Sequence, residues 1–184
     1  VDNYTVEIDG QKTIFADYIF INTGSKSVIP SIQGIQEAKH IYTSATIMKK
    51  TTLPKNLAII GGGYIGLELA SMYARYGSQV TVFELNERLV GREDEDVALE
   101  IQHILENQGV QFKFKSRVQE VSNQNEKAVI HYSQDETRYI DRFDAILLAT
   151  GRSANTADLG LENTGVQMNE RGQIIVNEYL QTDV

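Results

Sequence analysis

The stretch Leu57-Ala58-Ile59-Ile60-Gly61-Gly62-Gly63-Tyr64-Ile65-Gly66-Leu67-Glu68-Leu69-Ala70 decides how the rest of the chain is read. Leu57–Ile60 is a short apolar run of strand length, three glycines follow, and then comes a helical pattern. Gly61, Gly63 and Gly66 fit the G-x-G-x-x-G spacing of a dinucleotide-binding turn. Each glycine has its own physical task. The first allows the tight strand-to-helix turn, the second leaves room for a pyrophosphate against the backbone, and the third lets the helix lie close on the sheet. Free N–H groups and the positive end of the helix dipole then face the phosphates. Gly61, Gly62, Gly63, Tyr64, Ile65 and Gly66 are therefore the candidate residues for dinucleotide binding.

Working outward, the spacing predicts a helix over 64–76, with Ile65, Leu69, Met72 and Tyr76 as its apolar stripe. Small Ala70 and Ala74 allow close approach to a sheet, and Gly77 stands where a left-handed cap belongs. Gln79-Val80-Thr81-Val82-Phe83-Glu84 is an apolar strand ending in an acid. A carboxylate at that point can accept hydrogen bonds from both hydroxyls of an adenosine ribose. An isolated strand-end acid is more often a plain solvated carboxylate; the ordered context of strand, turn, helix and strand favours the ribose. Glu84 would repel the 2′-phosphate of NADP, and Leu85 and Asn86 supply no cation, although Arg88 and Arg92 lie close by. The reading is NAD(H), with NADP less favoured.

The whole chain sets the frame. Its 184 residues suffice for one domain, or one domain with an appendage, and an apolar fraction of 41% supports a core. Fourteen glycines and two prolines suit a folded chain with many turns. A formal charge of −8 argues against nucleic acid or an anionic membrane as partner. No apolar run is long enough to span a bilayer and no leader pattern precedes Val1-Asp2-Asn3-Tyr4, so the expected compartment is the cytoplasm. That start also lacks a methionine, as an excised piece would. With no cysteine, thiol catalysis and disulfides are excluded within the chain. His40, His103 and His131 are far apart and lack metal-ligand spacing, so no metal site is expected.

At the N-terminus, Tyr4, Val6 and Ile8 alternate up to Asp9-Gly10 and Thr13-Ile14-Phe15 follows, a hairpin signal. Asp17–Asn22 reads as an apolar strand ending at Thr23-Gly24-Ser25. This β-rich opening does not fit a βαβ pattern and resembles the edge of another domain. Residues 27–54 read as a connector with a short helix at 44–50 capped by Ser44, which puts the domain boundary near residue 53. After a loop at 85–92, the acidic run Glu93-Asp94-Glu95-Asp96 opens a helix to about Asn107. Val97, Ile101, Ile104 and Leu105 are its apolar stripe, Gly109 its cap and Val110–Phe114 the next parallel strand. Runs at 117–121, 128–132 and 137–140 predict a β-meander in place of a crossover helix. Phe143–Ala149 is a buried strand leading into Thr150-Gly151-Arg152, where a glycine at the strand's carboxyl end is either a ligand contact or a plain turn. Gly172–Asn177 predicts a last strand.

With these residues placed, the chain resembles the pyridine nucleotide-disulfide oxidoreductase family across essentially its whole length. The resemblance rests on four segments: Gly61–Glu68, Thr23-Gly24-Ser25, Ala149-Thr150-Gly151-Arg152 and Asn177-Glu178-Tyr179-Leu180-Gln181-Thr182. It implies an α/β fold: a Rossmann-like NAD(P)-binding domain with a parallel sheet and a meander crossover, plus β-rich strips of an incomplete FAD domain. Residues 1–53 would be the FAD-domain segment and connector, 54–151 the nucleotide domain, and 152–184 its return toward the FAD domain. The family passes hydride from NAD(P)H to FAD, and reducing equivalents on to a cysteine pair. By resemblance, Tyr64 covers the flavin until nicotinamide displaces it, and Glu68 lies near the carboxamide. Glu84 takes the ribose, Val118 offers backbone near adenine, and Gly151 does so near nicotinamide. Thr23, Gly24, Ser25 and Arg152 belong to the FAD-facing seam. An FAD fingerprint, a Cys-x-x-x-x-Cys pair, a Gly-Asp flavin motif and a dimerisation domain with an acid–base histidine are not in the sequence. The expectation is thus one domain of a larger homodimeric enzyme, inactive alone as a disulfide reductase, with Val1–Ser25 either self-associating or disordered. The stretch Leu89–Asp94 most resembles a bacterial subgroup, similar to mercuric reductase, that is associated with reactive chlorine species and hypothiocyanous acid.

Two other classes compete. A non-catalytic NAD(H) sensor could use the same fold, and a cysteine pair with a flavin motif in flanking sequence would tell the enzyme from the sensor. A methyltransferase also pairs a glycine turn with a strand-end acid, but Gly66 and the meander at 117–140 count against it.

Overall fold

The structure, a computed structural model, describes residues 2–184. In chain order the strands are β1 (Thr5–Ile8), β2 (Lys12–Phe15), β3 (Ser25–Ser27), β4 (Ile41–Thr43), β5 (Asn56–Ile60), β6 (Gln79–Phe83), β7 (Gln111–Lys113), β8 (Ser116–Gln124), β9 (Lys127–Gln134), β10 (Thr137–Phe143), β11 (Ala145–Leu148) and β12 (Arg152–Ala154). The helices are α1 (Ser44–Ile47), α2 (Tyr64–Arg75) and α3 (Glu95–Asn107). Contacts divide the chain into two units, Ser27–Gly151 on one side and the two terminal segments, 1–26 and 152–184, on the other.

The larger unit is built on a parallel sheet in the order β4-β11-β5-β6-β7. Side chains on each strand alternate between its two faces. Leu57 and Ile59, Val80 and Val82, and Ala145 and Leu147 join Leu67, Ala70 and Tyr73 of α2 in one core. Ala58 and Ile60, Phe83, and Ile146 and Leu148 meet Val121, Ile130 and Tyr132 of the second, antiparallel sheet β10-β9-β8 in another. A central sheet with both faces covered explains why its strands read as unbroken apolar runs. The meander stands where a crossover helix is usual, between β7 and β11, as the sequence predicts. The glycine turn lies at the carboxyl edge of β5, in the middle of the sheet.

The boundary expected near residue 53 falls inside this unit. Residues 27–54 are not merely a connector: β4 pairs in parallel with β11 and supplies an edge of the sheet. Gln33 also bridges to Glu120 of the meander. The α1 helix is a single short turn, and its N-cap is Thr43, one residue before the expected Ser44.

Both long helices form where expected, but each buries a face rotated from the predicted stripe. On α2 the buried residues are Gly66, Leu67, Ala70 and Tyr73, whereas Ile65, Leu69 and Met72 flank the contact and Tyr76 is exposed. The cause is Gly66, where a Cβ would come within 2.2 Å of the Gly61 carbonyl oxygen. The helix sits closest to the sheet at that point, so small Gly66 and Ala70 share the buried face with Leu67 and Tyr73. On α3, Ala98 and Leu105 are buried and Ile101 is partly so, while Val97 and Ile104 are exposed. Gly77 and Gly109 cap the two helices with φ of +99° and +87°, as expected.

In the smaller unit β1 and β2 form the expected hairpin, with Asp9 and Gly10 both at positive φ. Two predicted strands do not form. Asp17–Asn22 has no regular secondary structure, and no strand among the described residues pairs with it. Gly172–Asn177 is also irregular, apart from an isolated bridge between Met168 and Ile174. Apolar alternation marks a segment suited to pairing, and the ladder partner decides whether pairing occurs. β3 and β12 form a two-stranded sheet.

Candidate nucleotide site

The turn after β5 is held from both sides. Gly61 has φ +110°, and a Cβ there would meet the Ala149 carbonyl oxygen at 2.5 Å, so only glycine suits the position. Its N–H donates to Phe83 O at the end of β6 (2.9 Å). Gly63 is the N-cap of α2, and a Cβ there would have no heavy atom within 4 Å. The start of α2 therefore opens on free space beside the first-turn N–H groups, which have no partners within the helix. That is the shape an anionic group needs.

Glu84 is the most informative residue of the site. Only 8% of it is exposed, and both oxygens of its carboxylate accept hydrogen bonds. One oxygen accepts the Gly62 N–H at 2.7 Å; the other accepts the Asn86 N–H at 2.8 Å and the Asn86 side-chain amide at 2.7 Å. Its backbone N–H donates to Lys113 O, and its carbonyl accepts the Ser116 N–H, both at 2.9 Å. The acid is thus welded to the glycine turn, to β7 and to the start of β8. Gly62, between two fingerprint glycines, is the crowded position: a Cβ would lie 2.8 Å from Leu89 Cδ2 and 2.9 Å from the Glu84 carboxylate. The Val90 N–H closes the loop onto Gly62 O at 3.1 Å. The sequence reading gives Asn86 and Leu89 no structural part in the site. An Asn two residues after a strand-end acid is a weak turn signal, and nothing local marks Leu89.

Arg88 donates to the Gly91 carbonyl at 3.1 Å, which occupies one arm of its guanidinium. Glu87 pairs with Lys115 at 2.8 Å on the surface. Tyr64, the first residue of α2, is 57% exposed and its hydroxyl donates to Glu93, just before the start of α3. That hydrogen bond to a carboxylate raises the Tyr64 phenol above the ordinary tyrosine value. Tyr64 and exposed Glu68 line a shallow groove of about 320 Å³ between α2 and α3, whose far wall includes Ile104 and Leu105. Ser71 and Gln108 bridge it with a 2.7 Å hydrogen bond. Ile65 is half-buried beside this turn.

Val118 lies opposite Tyr132 on β8, just before a register irregularity and two residues after Ser116, which binds Glu84. Gly151 follows β11 with φ +132°, and its carbonyl accepts the Val28 N–H at 3.0 Å. Within the smaller unit, Arg152 Nε donates to Ser25 Oγ at 2.7 Å and its guanidinium also reaches the Ser25 carbonyl. Asn155 donates from its backbone to Gly24 O at 3.0 Å and from its side chain to Thr23 O at 3.3 Å. The structure thus brings Thr23, Gly24, Ser25 and Arg152 together, and adds Asn155, for which the sequence held no signal. Among the described residues no cluster of three or more His, Asp or Glu could hold a metal ion. No helix among them is long and apolar enough to cross a membrane.

The family described as pyridine nucleotide-disulphide oxidoreductase matches residues 1–184. The chain belongs to that family. Among curated members it is 38% identical to a probable pyridine nucleotide-disulfide oxidoreductase, RclA, of Escherichia coli, over 99% of this chain and 41% of the relative. It is 36% identical to a mercuric reductase of Streptomyces lividans, over 95% of this chain and 36% of that protein. A solved structure described as the HOCl-induced flavoprotein disulfide reductase RclA from Escherichia coli superposes with a TM-score of 0.90 at 37% identity, covering 99% of this chain and 41% of that one. The chain therefore spans about two fifths, or less, of the length of these oxidoreductase relatives, and its fold is that of the matching part of a flavoprotein disulfide reductase.

Proposed function

We propose that this chain is the NAD(H)-binding domain of an FAD-dependent disulfide oxidoreductase, with parts of the adjoining FAD domain attached at 1–26 and 152–184. Bound to such a domain, NADH supplies a hydride to FAD, from which reducing equivalents pass to a cysteine pair outside this chain. The observation that carries the reading is the Gly62 N–H bonded to the buried Glu84 carboxylate. It sets the two ends of a dinucleotide-binding motif in one rigid geometry.

The residues divide the work. Gly61 and Gly66 shape the turn, and open Gly63 with the first N–H groups of α2 accepts the pyrophosphate. Glu84 retains one acceptor site, on the oxygen that also accepts the Gly62 N–H, for a ribose hydroxyl, while its three internal hydrogen bonds fix its direction. Among the described residues no cation pairs with it, and Arg88 is turned to a backbone carbonyl, which favours NADH over NADPH. Val118 would border the adenine, Gly151 the nicotinamide half, and Tyr64 and Glu68 the nicotinamide itself. Thr23, Gly24, Ser25 and Arg152 would face FAD. The whole enzyme would be a homodimer of the cytoplasm, with no nucleic-acid partner.

Calorimetric titration with NADH and NADPH tests this. The expected result is NADH binding that Glu84→Ala weakens by about tenfold or more, as the loss of a charge-assisted hydrogen bond to a ribose hydroxyl implies. NADPH binding as tightly as NADH would overturn the cofactor preference. Binding of neither would overturn the assignment of the turn as a nucleotide site in this chain.

A further inference from the structure

We propose that Asn86 is a positioning residue for Glu84: it fills one oxygen of the carboxylate, so that the chain reads one hydroxyl of the adenosine ribose and tolerates loss of the other. The inference rests on the nucleotide reading above and deepens it, since it says how much of the ribose is recognised and which residue sets that limit.

An ionised carboxylate offers about four acceptor sites, two on each oxygen. In Glu84 three are taken. The Asn86 N–H and the Asn86 side-chain amide fill one oxygen, at 2.8 and 2.7 Å. The Gly62 N–H takes one site of the other oxygen at 2.7 Å. The site left over is therefore on the oxygen bonded to the glycine turn, beside the start of α2. The terminal torsion of a glutamate is broad, and bonds to both oxygens hold the carboxylate plane where a single bond would let it swing. Asn86 is itself held in place. Its carbonyl accepts the Lys115 N–H at 3.1 Å, and neighbouring Glu87 pairs with the Lys115 ammonium at 2.8 Å. Farther along the same loop, the Val90 N–H donates to Gly62 O at 3.1 Å. The amide is thus presented to Glu84 by a loop fastened at both ends.

An adenosine ribose brings two neighbouring hydroxyls, each a donor. One carboxylate needs two free sites to serve both, and this one has a single site. The second hydroxyl gains nothing from Glu84, so a ligand without it loses nothing there. The Asn86 side chain is exposed, and the backbone bonds of Asn86 to Glu84 and Lys115 do not depend on it. Truncating the side chain therefore frees an acceptor site without opening the loop.

The test is calorimetric titration of this chain with NADH and with two analogues, one lacking the 2′-hydroxyl and one the 3′-hydroxyl of the adenosine ribose. The proteins are the parent, Asn86→Ala and Glu84→Ala. The parent should bind one analogue about tenfold more weakly than NADH, the scale of one hydrogen bond to a charged group, and the other within about twofold. Asn86→Ala, with a site free on each oxygen, should bind both analogues about tenfold more weakly than NADH. Glu84→Ala should bind all three ligands alike, because it reads neither hydroxyl. A parent that discriminates against both analogues, or against neither, overturns the proposal. So does an Asn86→Ala that keeps the parent's ratios, since the amide then places no limit on Glu84. If Asn86→Ala instead ceases to read a hydroxyl that the parent reads, Asn86 contacts the ribose directly and the positioning role fails. Discrimination that survives in Glu84→Ala puts the reading group elsewhere and also overturns it. All of these outcomes leave NADH binding in place. Absence of NADH binding in all three proteins would instead sink the nucleotide reading, and the role of Asn86 with it.

Discussion

Leu57–Ile60 and Tyr18–Ile21 are both four-residue apolar runs that read as strands, and the molecule treats them in opposite ways. Leu57–Ile60 belongs to β5, flanked by β11 and β6, and Ile59 is 0% exposed. Tyr18 and Phe20 are 84% and 91% exposed, in a segment without regular structure. The difference does not lie in the residues, since Ile, Phe and Tyr have higher strand preference than Leu and Ala. It lies in the neighbours. β5 has a hydrogen-bonded strand on each side, helices over one face and the meander over the other, while 17–22 has no paired strand among the described residues. A strand is a property of a sheet, and an apolar run is only a candidate for one.

The most forceful way to sharpen this contrast is to hollow out β5. Ile59 sits in the helix-side core with Leu57, Val82 and Leu147. Ile59→Ala should cost about 2–5 kcal/mol through lost transfer free energy and the cavity left behind. For a chain of this size that lowers the thermal midpoint by about 10 °C. Phe20→Ala, which removes a larger side chain, should move it far less. Parallel thermal melts of the two variants check the pair. Equal losses would mean that both runs are buried in solution and that the contrast is false.

A smaller effect should come from the polar lock at the entry of β5. Asp144, just before β11, accepts the Asn56 backbone N–H at 2.8 Å and also binds Lys127. Burial on its own would raise this carboxyl, but the hydrogen bonds from Lys127 and from the Asn56 backbone outweigh it, and the net shift is downward. A lowered acid stabilises the fold above its ordinary value of 3.8 and loses that contribution as pH falls below it. Asp144→Asn should therefore destabilise the chain by about 1–3 kcal/mol at neutral pH, because Lys127 loses its counter-charge. The variant should also flatten the dependence of stability on pH below that value. Chemical denaturation at neutral and acid pH measures both, and a variant that keeps the parent's acid slope would remove Asp144 as its source.

The same logic explains what was legible in the sequence. The glycine turn, α2, β6 and Glu84 are contiguous, so spacing alone places them, and the structure puts the acid on the turn. The meander was legible because its three runs pair with sequence neighbours. Local reading placed Gly66 and Ala70 toward the sheet but took Ile65, Leu69, Met72 and Tyr76 as the apolar stripe of α2, where Leu67 and Tyr73 are the large buried residues. It lost β4, whose partner β11 lies about a hundred residues away in sequence. It gave no part in the site to Leu89 or Glu93, which matter through contacts that the loop after β6 makes with Gly62 and with Tyr64. Each miss is a relation between distant residues, and each success is a pattern within one segment.

The smallest effect on stability, and the most direct test of the exposed run, comes from Tyr18→Ser/Phe20→Ser. Neither ring is buried, so the double variant should leave the thermal midpoint within the change expected of a surface substitution, about 0.5 kcal/mol. Association is where the rings should matter, because exposed aromatic surface beside unpaired backbone favours contact between copies. Sedimentation velocity over a concentration series should show the parent associating more than the double variant. A midpoint that falls by several degrees would show that residues 17–22 are packed in solution. An unchanged midpoint with unchanged sedimentation would mean that exposure at these rings has no partner to find, and that the hairpin edge of β1 or β2 is the surface to alter next.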